Sequence, residues 1–140
     1  MRIEAWDPWS DDRRQHGTED EIRAATSKAT QAGWRDGYAR LYYGKSHIDW
    51  PIQGMRIGPV ALLEIAGEPF TEINRQIIAK SPFPHTLFSG YSHGDFGYIP
   101  AQSAYAEGGC EVEASPFSPE AHETIVQKGL AILEELAQPL

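Results

Sequence analysis

Between residues 52 and 90, apolar runs and turn signals alternate in an order that predicts a sheet. Ile52, Met55 and Ile57 lead to Gly58-Pro59, and Val60-Ala61-Leu62-Leu63-Glu64-Ile65-Ala66 follows. Two such runs joined by a tight turn read as a hairpin. The second run is nearly unbroken, which fits a central strand covered on both faces. Gly67-Glu68 ends it. Pro69 suits the first position of a helix that presents Phe70, Ile73 and Ile77 on one face. Ser81-Pro82-Phe83-Pro84 stops that helix, and residues 85–90 supply the next strand. A strand–helix–strand crossover in one sheet is right-handed and makes its two strands parallel. Glu68 and the loop 91–98 are therefore expected at the same sheet edge.

The flanking segments are simpler. Residues 1–17 are polar and broken by Pro8, and read as a flexible N-terminal arm that Trp6 and Trp9 could dock. Thr18-Glu19-Asp20-Glu21 has the form of a capping box, which predicts a helix from Glu19 to about Ala32. Gly33 is expected to break it, with a second helical stretch reaching Tyr43. After Pro100 come a helical turn over 102–106 and a short alternating strand at 109–113. Ser118-Pro119-Glu120 then starts a helix that runs to about Ala137, with Ile125, Val126, Leu130, Leu133 and Leu136 as its buried stripe. The predicted fold class is α/β: a mixed sheet with a β-hairpin and a β-α-β unit, covered by helices including a long C-terminal helix. Residues 18–140 read as a single domain.

The chemistry-bearing residues cluster where the two strands end. α/β proteins build sites at the C-terminal ends of strands. Glu68 lies between Gly67 and Pro69, where a carboxylate serves as a helix N-terminal charge or as a metal ligand. His93 and Asp95 form a His-x-Asp pair in the Gly-rich stretch Ser-Gly-Tyr-Ser-His-Gly-Asp-Phe-Gly-Tyr-Ile-Pro at 89–100. They read either as solvated loop polars or as additional site residues. Tyr98 reads as a packed ring or as a phenolate ligand. His85 is taken as structural. His16, His47 and His122 carry no supporting pattern, and Cys110 reads as a small buried residue. Gly90-Tyr91-Ser92-His93-Gly94 has the Gly-x-Ser-x-Gly spacing, but Gly97-Tyr98-Ile99-Pro100 follows where an elbow needs a helix, and there is no phosphate loop or dinucleotide fingerprint, which argues against the common esterase, NTPase and Rossmann readings.

Composition narrows the function classes. A chain of 140 residues with 41% hydrophobic and 23% charged positions is long enough to bury roughly two-thirds of its unfolded surface. The net charge of −8 disfavours a nucleic-acid backbone as partner. One cysteine excludes an intrachain disulfide. No apolar run approaches the length of a transmembrane span, and Met1-Arg2-Ile3-Glu4 is not the opening of a signal peptide. These points lead us to expect a cytoplasmic setting.

Three stretches carry a family resemblance: Gln53 to Leu62, Gly67-Glu68-Pro69-Phe70-Thr71-Glu72-Ile73, and Ser81-Pro82-Phe83-Pro84-His85-Thr86. It continues through Gly97-Tyr98-Ile99-Pro100, Tyr105 to Glu113 and Phe117-Ser118-Pro119. These resemble the neutral/alkaline non-lysosomal ceramidase family, in its bacterial ceramidase-like branch. The match covers about 20–137 and corresponds only to the C-terminal part of that family's catalytic domain. The resemblance implies a zinc amidase in which Glu68 and Tyr98 match two zinc ligands. The family's two zinc-binding histidines lie upstream, in a portion with no counterpart here. Where the family shows an Asn and a second aromatic before the tyrosine, this chain has Ser92-His93-Gly94-Asp95-Phe96.

Three readings follow. The chain is a segment or subunit of a zinc-dependent amide hydrolase acting on N-acyl lipids or related amides, completed by a partner that supplies histidines. Alternatively, it is an inactive remnant serving as a binding or homo-oligomerisation module. In the third reading, Glu68, His93 and Asp95 hold a local metal site. Whether the chain by itself is an enzyme stays open at this point.

Overall fold

The computed structural model describes Thr18, Asp20, Ala24, Ser27, Lys28, Thr30, residues 32–34, Gly37, Arg40, 49–94 and 96–139. The chain divides into two compact units, 1–43 and 44–140. In the first unit the described residues from Asp20 to Arg40 are helical. They include Gly33 between Ala32 and Trp34, so Gly33 is itself helical where a break was expected. An isolated glycine weakens a helix without ending it. The arm at 1–17, Glu21 of the capping box and the stretch 41–48 lie outside the described residues.

The second unit is mixed α/β. Strands β1 (Ile52–Ile57) and β2 (Val60–Ile65) form the hairpin, antiparallel with Ile57 opposite Val60. Gly58 makes the tight turn at φ 58°, a conformation open to glycine without steric cost. Helix α1 (Thr71–Lys80) then returns the chain to β4 (His85–Ser89), which lies parallel to β2. The strand order β1-β2-β4 confirms the hairpin and the β-α-β unit. A second, two-stranded sheet pairs β3 (Glu68–Pro69) with β5 (Tyr98–Ile99) in parallel. Glu68 and Pro69 are therefore in a strand, and the helix starts at Thr71 rather than at Pro69. The amide of Phe70 still bonds Ile99 O at 3.0 Å, so pairing with β5 delays the helix from Pro69 to Thr71.

Helices α2 (Ala104–Glu107) and α3 (Cys110–Ala114) follow, then the long α4 (Glu120–Ala137). The segment 109–113 was expected as a strand and is helical from Cys110 onward. The alternation of Cys110, Glu111, Val112 and Glu113 is too short to separate the two periods.

The core lies between one face of the three-stranded sheet and helices α1 and α4. Ala61, Leu63 and Ile65 from β2 meet Ile73 and Ile77 from α1 and Val126 and Leu133 from α4, all at 2% exposure or less. Gly54 lets α4 lie close on β1: a β-carbon there would stand 2.5 Å from Ile132 Cγ2 and 2.8 Å from Leu136 Cδ1. At the end of α4, Arg56 Nη1 donates to Leu136 O at 3.1 Å and Gln138 O at 3.4 Å, satisfying carbonyls the helix leaves unpaired.

Burial along β2 alternates strictly, so the strand is covered on one face only. The opposite face carries three rows across the sheet: Gln53–Glu64–Ser89, Met55–Leu62–Leu87 and Ile57–Val60–His85. Met55, Ile57 and Leu87 are 53%, 62% and 58% exposed.

Candidate metal half-site at the strand ends

A tight set of backbone bonds brings the two strand ends together. After β2 the chain turns at Gly67, whose φ is 75°. Only glycine fits there: a β-carbon would stand 2.7 Å from Gly97 O. The Gly67 amide donates to Gly94 O at 3.1 Å and the Glu68 amide to Gly97 O at 2.9 Å, while Tyr91 N returns to Gly67 O at 2.8 Å. Trp50 closes the turn from behind. Its Nε1 donates to Ala66 O at 3.2 Å, and its ring packs on Phe96 and Phe117 at centroid distances of 5.0 and 4.4 Å. Beyond β5, Ser115 Oγ donates to Tyr98 O at 2.9 Å. Gln102 N donates to Nδ1 of the buried His122 at 2.8 Å, fixing the exit of β5 against α3 and α4. His122 thus has a structural role that no sequence pattern signalled.

The result is register pairing of Glu68 with Tyr98. Both side chains are half-buried. Burial first, then the charge of Glu68, then the charges of Glu111 and Cys110 and a hydrogen-bonding interaction with Glu68, hold the Tyr98 phenol above its ordinary value of 10.0. Without a cation, Tyr98 is therefore a neutral phenol beside a carboxylate. These two oxygen donors in an acidic surrounding fit half of a zinc site. Carboxylate oxygen is a regular zinc donor, and the negative field that opposes phenolate formation would favour a bound dication. A dication bound there as a phenolate ligand would displace the phenolic proton.

The other candidates are placed differently. His93 does not turn to Glu68: its Nε2 donates to Glu64 Oε2 at 3.0 Å. Asp95 lies outside the described residues. Among the described residues no three His, Cys, Asp or Glu side chains gather as metal ligands would. Sequence reasoning passed over Glu111 and Cys110, which α3 brings near Tyr98, and over Glu64. The signal for Glu64 was available, since it is the lone carboxylate in an otherwise apolar strand. Cys110 is half-buried rather than buried.

These features define a class: an α/β domain with a carboxylate–phenol pair on two short, paired parallel strands. No family model and no curated protein matches the chain. Among solved structures it is similar to the crystal structure of neutral ceramidase from Pseudomonas aeruginosa. The two share 23% identity and a TM-score of 0.50 over 64% of this chain and 16% of that chain. The likeness is one of fold, and this chain spans about 16% of that chain's length.

Proposed function

We propose that the chain is a segment or subunit of a ceramidase-like zinc-dependent amide hydrolase acting on N-acyl lipids or related amides. The observation that carries this reading is the Glu68–Tyr98 pairing, set by β3 and β5 within a fold similar to that of a neutral ceramidase. Glu68 and Tyr98 would hold the metal, and two further ligands would come from a histidine-bearing partner, since a zinc site takes four ligands or three plus an open position. Bound zinc would polarise an amide carbonyl and lower the pKa of a water to about 7. The chain's own groups set the conditions: Gly67 and the loop amides fix the strand ends, and Tyr98 holds its proton until a cation displaces it.

The test is hydrolysis of a fluorogenic N-acyl sphingosine by this chain, alone and with a co-expressed neighbouring gene product. Hydrolysis that requires Glu68 and Tyr98 supports the reading. The same rate in Glu68→Ala and Tyr98→Phe argues against it.

One observation favours the second reading, a module for binding or homo-oligomerisation. The sheet face bearing Met55, Ile57 and Leu87 is exposed, and a face with apolar residues in adjacent rows favours association.

A further inference from the structure

We infer that Glu64 and His93 form a latch that positions the Glu68–Tyr98 pair, with His93 a positioning residue and not a metal ligand. The inference rests on the reading of Glu68 and Tyr98 as a site. Its starting point is the backbone of the loop after β4. Tyr91 and His93 have φ of 56° and 64°, left-handed values that side-chain-bearing residues adopt rarely and at a steric cost. Such conformations persist only where surrounding bonds over-determine them.

The bonds are present at each step. Ser92 N donates to Ile65 O at 3.0 Å and Tyr91 N to Gly67 O at 2.8 Å. Ser92 Oγ donates to Ser89 Oγ at 3.2 Å. The His93 ring reaches Glu64 Oε2 at 3.0 Å. Because a carboxylate only accepts, Nε2 carries the proton. Glu64 is well placed as the anchor. It lies in the central strand, flanked across the sheet by Gln53 and Ser89, and so cannot move without the ladder.

The residue after His93 is Gly94, whose carbonyl accepts from Gly67 N at 3.1 Å. Three residues further, Gly97 O accepts from Glu68 N at 2.9 Å. The line of force runs from Glu64 through His93 and Gly94 to Gly67, Glu68 and Tyr98. An isolated exposed hydrogen bond would contribute little. This one holds a strained turn directly ahead of the bonds that set the pair. Without it, His93 can relax out of the left-handed region, and the Gly94 carbonyl swings away from Gly67.

Amide hydrogen exchange on the metal-free protein tests the latch. In His93→Ala, exchange of the Gly67 and Glu68 amides should quicken about tenfold, the equivalent of one lost hydrogen bond. The amides of Val126 and Leu133 in α4 should keep their protection. His93→Gln, which restores a donor, should recover most of the loss. Unchanged protection at Gly67 and Glu68, an equal loss in α4, or no recovery in His93→Gln would each overturn the inference. Zinc titration of the unmutated chain is read separately. Confirmed protection changes with no zinc binding would leave the latch standing and remove the metal reading alone.

Discussion

At Tyr98, burial and the negative charges of Glu68, Glu111 and Cys110 all act in one direction and raise the phenol. At Tyr105, burial is again the largest cause of a raised value, opposed by Ser115. Its hydroxyl donates to Phe117 O at 2.8 Å. The sign for stability follows from linkage. A group whose folded value exceeds its unfolded value contributes below the unfolded value, and that contribution is lost as pH rises through the folded one. Stability should therefore fall as pH rises above 10. Tyr98→Phe and Tyr105→Phe should each flatten part of that fall, as read by urea denaturation at a series of pH values. At this scale the nearness of Glu68 to Tyr98 was legible, because the β-α-β pattern brings the two glycine-marked segments to one edge. The partner of His93 was not, because nothing in a His-x-Asp pattern says which carboxylate the fold will bring to it.

Each element is stabilised by its core residues and by a few glycines. Leu63 is 1% exposed and sits in β2 between α1 and α4. Leu63→Ala should cost about 2–5 kcal/mol in denaturant unfolding. Gly67→Ala should act more locally. It combines a left-handed φ of 75° with a β-carbon 2.7 Å from a carbonyl, so it should loosen the β3–β5 pairing and weaken any zinc binding even where the chain stays folded. The hairpin, α1, β4 and α4 were readable from periodicity and from Gly-Pro or Ser-Pro punctuation. Two elements were not. Residues 109–113 offered too few positions to tell one helical turn from a strand. At Glu68–Pro69 a tertiary partner, β5, overrode the helix-start preference of Pro69. The continuous apolar run in β2 also suggested cover on both faces, whereas its alternate residues Val60, Leu62 and Glu64 face outward.

For the unit 44–140 as a whole, the exposed sheet face and the Glu68–Tyr98 pair are the features at which a partner can be tested. No described helix is long and apolar enough to cross a membrane. If the outer face serves self-association, light scattering after size exclusion should give a mass above the chain's 15.6 kDa, and Met55→Lys with Leu87→Lys should return it to the monomer. A monomer in both cases would argue against the module reading. The central proposal is that Glu68 and Tyr98 supply two ligands of a zinc site, and calorimetric zinc titration of the purified chain is its most direct test. The expected result is weak but saturable binding of one zinc per chain, since two of four ligands are supplied here, and binding that strengthens as pH rises because a phenolate is the better ligand. A tyrosinate ultraviolet band should appear on binding, and both should be lost in Glu68→Ala and Tyr98→Phe. No binding, or binding that survives both substitutions, would contradict it.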